Sequence, residues 1–158
     1  MSSDEGRVID WFRFEHAFLS NFAPAPVTYD GVTYPTVEHA FQAAKTLGMT
    51  TRALILAAPT PDVAQRVGRT VNLRPDWADV RVTIMRDLLR QKFAAPMRRR
   101  ALLATGDAVL IEGNTWHHQF WGDCRCGREG CAEPGLNMLG RLLTEVRAEL
   151  RVRSGGAP

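Results

Sequence analysis

The sequence predicts an α+β fold: a single compact, mostly helical domain with a small β-sheet or hairpin. Three observations carry this expectation. Val27-Thr28-Tyr29-Asp30-Gly31-Val32-Thr33-Tyr34 places β-branched and aromatic residues on both sides of Asp-Gly, the pattern of a hairpin with a two-residue turn. Pro35-Thr36 then opens a helical segment, because the Thr36 hydroxyl can accept from an amide two or three residues on. Asp76–Phe93 and Asn137–Arg151 repeat apolar residues at helical spacing. With 158 residues, 45% of them hydrophobic, and no repeat or linker, the expectation is one domain. Its core would run over about 8–151, with flexible ends at 1–6 and 153–158.

Taken in order, Val8–Phe14 reads as a strand with imperfect alternation, and Leu19-Ser20-Asn21-Phe22 holds a polar pair between apolar anchors. The hairpin follows and delivers the chain into the helix after Thr36. Residues 51–58 and 61–68 read as short helices, the second announced by Thr60-Pro61-Asp62. Asp76–Phe93 is the longest helical pattern, with Trp77, Val80, Ile84 and Leu88 in period and Met85, Leu89 and Lys92 beside them. A short arginine-rich helix from Pro96 to Ala104 is broken by Thr105-Gly106-Asp107. Ala108–Glu112 is a short buried strand ending on a carboxylate, and Gly113–Gly135 is loop-like. The last helix, Asn137–Arg151, turns Leu139, Leu142, Leu143, Val146 and Leu150 inward, and Ser154–Pro158 is a frayed tail.

Composition narrows the function classes. A net charge of +3 and a pI near 9.1 do not by themselves argue for nucleic acid. No apolar run approaches the roughly 20 residues that span a bilayer. The first residues lack the basic and apolar regions of a secretory signal, so a cytoplasmic protein without membrane partners is expected. Of 20 Lys and Arg, only Lys45 and Lys92 are lysines. An amine can deprotonate and attack a carbon, which a guanidinium cannot do.

Four groups of residues can carry chemistry. On the helix after Thr36, Glu38, Gln42 and Lys45 fall at i, i+4 and i+7 along one face, beside the apolar stripe of Val37, Ala40, Phe41 and Ala44. This is either a solvated face or a recognition or catalytic surface. Glu112 ends an apolar strand, at the rim of the core or as a cap of the Gly113 turn. Trp116-His117-His118-Gln119-Phe120-Trp121-Gly122 is dense in aromatics, which suits stacking on a base. For Trp116 the reading is a side chain that pins the loop to the core. Cys124, Cys126 and Cys131, with His117 and His118 upstream, are the ligand types of a structural zinc, although C-x-C-x4-C is not the usual knuckle spacing. A disulfide is disfavoured in a reducing cytosol.

An ordered set of these segments resembles the NADAR family, whose best-known branch is the YbiA-like N-glycosidases. The set comprises Ser20-Asn21-Phe22, Asp30-Gly31, Tyr34-Pro35-Thr36-Val37-Glu38-His39, Phe41-Gln42-Ala43-Ala44-Lys45, Met85 and Lys92-Phe93. It continues with Thr105-Gly106-Asp107, Ile111-Glu112, Trp121-Gly122, Gly135-Leu136-Asn137-Met138-Leu139-Gly140 and Arg147, spanning about residues 12–150. The resemblance implies a hydrolase of a bond between ribose and a base-like amine. It implies one of two substrates: ADP-ribosylated guanine in nucleic acid, or phosphorylated early intermediates of riboflavin synthesis. It makes Glu38, Lys45 and Glu112 candidates for catalysis, and Asn21, Phe22, His39, Gln42, Trp121 and Asn137 candidates for substrate binding. No cofactor is required by this chemistry. The possible metal is a structural zinc on His117, Cys124, Cys126 and Cys131. One position departs from the family: His118 stands where an Asp is usual, three residues before Trp121-Gly122. The alternative is a non-catalytic module that recognises ADP-ribose or a nucleotide. A third reading is a small zinc-dependent nucleic-acid-binding protein.

Overall fold

The computed structural model describes residues 6–155. In chain order the elements are β1 (Val8–Ile9), a 3-10 helix (Phe14–Leu19), β2 (Val27–Tyr29), β3 (Val32–Tyr34), α1 (Val37–Ala44), α2 (Met49–Leu56) and α3 (Pro61–Gly68). They continue with α4 (Trp77–Lys92), α5 (Pro96–Leu103), β4 (Val109–Leu110), β5 (Gly113–Asn114), β6 (Asp123–Cys124) and α6 (Met138–Gly155). Helices dominate and the strands are short, as the α+β reading expects. The chain divides into two compact units, one made of Asn21–Ala95 and the other of the segments up to Ser20 and from Pro96 onward.

The Asn21–Ala95 unit is built around α1. The β2–β3 hairpin pairs Val27 with Tyr34 and Tyr29 with Val32, and its turn puts Asp30 at φ 49° and Gly31 at φ 80°. Both values lie in the left-handed region that a two-residue hairpin turn requires, and glycine occupies it without a steric penalty. Thr36 is extended, and its Oγ1 accepts from the His39 N–H at 3.0 Å. The Asn21 carbonyl takes the Glu38 N–H at 3.1 Å, so two of the unpaired amides at the start of α1 are satisfied. All eight residues of α1 are buried, against α2, α3, α4 and the hairpin. At its other end the buried Arg52 donates from Nε to the carbonyls of Ala43 (3.2 Å) and Thr46 (2.8 Å), and from Nη1 to Asp30 at 2.7 Å. A cation there complements the negative end of the helix. α4 turns Trp77, Met85, Leu88, Leu89 and Lys92 inward, with Val80 and Ile84 only half-buried. Its Gln91 side chain forms two bonds with Thr28, accepting from N–H at 2.7 Å and donating to the carbonyl at 2.8 Å.

The other unit departs from the sequence reading at three points. The strand expected over Val8–Phe14 stops at Ile9, where β1 pairs in parallel with β4 through Val8↔Val109 and Ile9↔Leu110. Phe14 takes φ 54° and starts the 3-10 helix, so residues beyond Ile9 leave the ladder. β4 is correspondingly short, because the Glu112 N–H is taken at 3.0 Å by the Asn137 side chain rather than by a strand. The last helix runs to Gly155, and at 18 residues it is longer than α4 at 16. Ser154 is held on α6 by Arg99 of α5, whose Nη2 donates to its hydroxyl at 2.6 Å. The expected flexible ends fall partly on residues 1–5 and 156–158, outside the described residues. Within α6, the buried Arg147 donates to Thr105 Oγ1 at 2.8 Å and to the Ala108 carbonyl at 3.0 Å, clasping the turn before β4.

Thr36→Ala removes both a helix cap and the hydroxyl partner of the buried His39 ring. A loss of about 2 kcal/mol is expected, against about 0.5–1 for Thr60→Ala, whose cap on α3 is exposed. Urea unfolding of the two variants checks this; equal losses would contradict it.

Candidate functional site

The candidate site in the Asn21–Ala95 unit lies along α1. Glu38 is 6% exposed. Its Oε1 accepts from Gln42 Nε2 at 2.7 Å, one turn further on, and from Gln65 Nε2 of α3 at 3.4 Å. Arg69 in turn donates to Gln65 Oε1 at 3.3 Å, so a chain of donors leads from the α3 end to the carboxylate. Burial raises the Glu38 pKa above the usual carboxylate range, opposed by the Gln42 bond, the Lys45 charge, the Gln65 bond and Arg69. Lys45 is half-buried, and burial lowers its pKa, with the Glu38 charge acting to raise it and Arg69 to lower it. Acid and amine thus favour each other's charge while burial disfavours both.

Gln42 Oε1 and Asn21 Oδ1 are buried and have no hydrogen-bond partner among the described residues. Leaving a buried polar atom unsatisfied costs about 1–3 kcal/mol, which a bound ligand's N–H or O–H recovers. The Asn21 side chain is placed by its Nδ2 contact to the Met85 sulfur at 3.6 Å. Gln42 is placed from above by Gly68 of α3, where any Cβ would run into its Oε1. His39 differs from its neighbours on α1. Its ring is buried, with Nε2 3.0 Å from the Ala58 carbonyl and Nδ1 2.8 Å from Thr36 Oγ1. The carbonyl only accepts, so Nε2 carries a proton and the ring tethers α1 to the end of α2. Phe22 is half-buried next to Asn21 in the chain.

In the other unit, the half-buried Glu112 follows β4. Its N–H donates to Asn137 Oδ1, while Asn137 Nδ2 donates to the Leu110 carbonyl at 2.9 Å. Both ends of the Asn137 amide are therefore engaged with the strand, and its φ of 50° places it at the turn into α6. Trp121 is half-buried and meets Phe120 edge-on, with ring centroids 4.9 Å apart. Trp116 does not pin the loop to the core. It is 47% exposed, and its Nε1 donates to His118 Nδ1 at 3.2 Å. His117, Cys124, Cys126 and Cys131 converge, with one ligand atom from each lying within 4.8 Å of every other. His118 is not part of that group.

The structure therefore brings Asn21, Glu38, Gln42 and Lys45 together in one unit, and Glu112 and Asn137 together in the other. Sequence reasoning missed Gln65, Gly68 and Arg69. The signal was present, as Gln65 and Arg69 sit at i, i+4 and a glycine interrupts a helical pattern beside them. Nothing in the pattern says which helix they face.

The fold and these residues define an α+β protein with a buried acid beside a lysine on a capped helix. The model of the NADAR domain matches residues 10–151, and the chain belongs to that family. It is 41% identical over 141 residues to N-glycosidase YbiA of Escherichia coli (strain K12), covering 87% of this chain and 84% of that one. It is 39% identical over 140 residues to the riboflavin biosynthesis protein VVA0006 of Vibrio vulnificus, covering 86% of this chain and 36% of that protein. The NMR structure of the E. coli protein YbiA superimposes with a TM-score of 0.81 at 36% identity, covering 100% of this chain and 92% of that one.

Because burial holds the Glu38 pKa above its unfolded value, the folded chain binds more protons than the unfolded chain between the two values. Stability from this group is accordingly lost as pH rises from the ordinary carboxylate range through the folded-state value. Glu38→Gln removes that dependence. Urea midpoints of variant and wild type should diverge in the variant's favour as pH rises through the window. Parallel pH dependences would contradict the burial argument.

Proposed function

We propose that this chain hydrolyses an N-glycosidic bond between a ribose and a base-like amine, with Glu38 as the acting carboxylate. The observation that carries this reading is the buried Glu38 carboxylate, oriented by two amides and placed beside Lys45. The names of the relatives, N-glycosidase and riboflavin biosynthesis protein, support the same reaction class.

In this reaction the C1′–N bond breaks, its electron pair leaves with the nitrogen, and the nitrogen gains a proton. The positive charge that develops on C1′ and the ring oxygen is stabilised by an adjacent carboxylate. Water adds its oxygen to C1′ and gives up a proton. Burial raises the Glu38 pKa above the usual carboxylate range, the direction that suits a carboxyl group for accepting and returning a proton. Only water is consumed, so the reaction as proposed needs no cofactor. The unpartnered oxygens of Asn21 and Gln42 would take ribose hydroxyls or base N–H groups. His39 would act through the position of α1, and Phe22 by packing on the substrate. In the other unit, Glu112 is a second candidate carboxylate, its backbone fixed by Asn137, and Trp121 is the candidate ring for stacking on a base.

Lys45 has two roles open to it. As a cation it pairs with Glu38 or a phosphate. As a neutral amine, which its lowered pKa favours, it attacks C1′; the C1′–N bond breaks with its electron pair and a proton leaving on the base nitrogen, and water then hydrolyses the resulting Schiff base to free the sugar and Lys45. Of the two substrate classes, the riboflavin-pathway intermediates are favoured by the relatives' names; ADP-ribosylated guanine is the other.

The test is release of free base from a phosphorylated ribosylaminouracil and from ADP-ribosylated guanine in DNA, run in parallel. Wild type is expected to cleave at least one, and Glu38→Gln to lower kcat about 100-fold or more while remaining folded. Borohydride trapping of wild type but not of Lys45→Ala would assign the Schiff-base route. Full activity in Glu38→Gln, or tight ADP-ribose binding with no cleavage of either substrate, would overturn the proposal.

A further inference from the structure

The segment between β5 and α6 is long, and its rings are exposed or half-buried. Yet it has a demanding task. The Leu136, Asn137, Met138 and Leu139 N–H groups donate to the carbonyls of Gln119 (2.6 Å), Gly122 (3.1 Å), Phe120 (3.0 Å) and Trp121 (3.0 Å). Those carbonyls satisfy amides at the start of α6 that have no partner within the helix. Such a cap works only if the segment carrying it is held in one shape, and the apolar side chains here do not supply that rigidity. Two short strands, β5 and β6, pair over two residues each.

We propose that His117, Cys124, Cys126 and Cys131 bind one Zn2+ ion, a closed structural site that fixes this segment beneath the start of α6. The His117 Nδ1 lies 3.2 Å from Cys131 Sγ, 3.6 Å from Cys126 Sγ and 3.8 Å from Cys124 Sγ. A tetrahedral ion with Zn–S of about 2.3 Å and Zn–N of about 2.0–2.1 Å separates nitrogen from sulfur by about 3.6 Å. The three distances straddle that value. All four ligand atoms fall within 4.8 Å of one another, so a single ion reaches them all. The cysteines are unbridged.

The backbone around the ligands is set for convergence. His117 adopts φ 69°, a left-handed conformation that a non-glycine residue takes at a cost. Gly127 (φ 77°) and Gly130 (φ 86°) turn the chain sharply between Cys126 and Cys131. Gln119 ties the ligand-bearing pieces together: its Oε1 accepts from the Cys124 N–H at 2.7 Å, and its Nε2 donates to the carbonyls of Gly130 (3.3 Å) and Glu133 (3.1 Å). Three thiolates and an imidazole are a soft donor set that selects zinc over magnesium or calcium. With four protein ligands there is no open position for water, so the site stabilises and does not catalyse.

The experiment is metal analysis of the full chain purified without added metal or chelator. One zinc per chain is expected, and Cys124→Ser and Cys131→Ser should each reduce it to a small fraction. Replacing the ion by Co2+ should give the intense visible bands of a tetrahedral site and a near-ultraviolet thiolate charge-transfer band. Should the serine variants fail to fold, wild type decides the matter. Chelation should make all three thiols reactive to a disulfide reagent and speed amide exchange over 136–139, and added Zn2+ should reverse both. Metal-free protein that takes up no Zn2+, octahedral Co2+ spectra, or a Cys124–Cys131 disulfide in protein kept reduced would overturn the proposal.

Discussion

The Asn21–Ala95 unit depends on one constraint: α1 is buried on every side and still carries a carboxylate. Taking such a group out of water costs several kcal/mol unless partners replace the lost hydration. The surrounding elements read as answers to that cost. Gln42 and Gln65 donate to the same oxygen of Glu38, Lys45 supplies a positive charge two turns on, and Arg52 occupies the negative end of the helix. Thr36 and the Asn21 carbonyl settle the amides at its start. Against this background the unpartnered oxygens of Gln42 and Asn21 stand out. Both are enclosed by the protein's own packing, Gln42 Oε1 lying directly against Gly68 of α3.

The unit formed by the chain's two ends solves a different problem, the start of an 18-residue helix. The first amides of α6, on Met138 and Leu139, go to backbone carbonyls of the preceding loop. Asn137 faces the other way and holds β4 at Leu110 and the chain just beyond it at Glu112 by the two ends of its amide, with Gly140 pressed so close to the Leu110 carbonyl that a Cβ has no room. Loop carbonyls from Gln119 to Gly122 do the capping. The arrangement couples three features that look separate along the chain: the aromatic stretch, the Gly135–Gly140 stretch and the cysteine cluster. It also places Glu112 on backbone that Asn137 and Asp123 hold from both sides.

Legibility followed the range of the interaction. The hairpin, the Thr36 cap and the helical spacing of Glu38, Gln42 and Lys45 are local, settled by turn chemistry and by the 3.6-residue period. They emerged from the sequence with nearly their observed bounds. The strand expected through Phe14 was misread because alternation extends past Ile9, whereas pairing requires a partner and β4 ends at Leu110. Trp116 was misread because an aromatic residue in a loop carries no mark of which way it points. His39 sits in the same motif as Glu38, but its two ring bonds to Thr36 and Ala58 make it a tether, a distinction that only the partners reveal.

By itself the sequence determined the α+β class, the order of the hairpin and the α-helices, the family resemblance and the residue types that carry chemistry. Each rests on local periodicity, capping or an ordered set of short motifs. Only the tertiary structure decided that Glu38 is buried rather than solvated, that Gln65, Gly68 and Arg69 of α3 stand behind it, and that His117 and the three cysteines bring their ligand atoms together. The physical reason is the same in each case. Burial, desolvation and convergence of ligands depend on which segments meet in space, and contacts between residues distant along the chain leave no period in it.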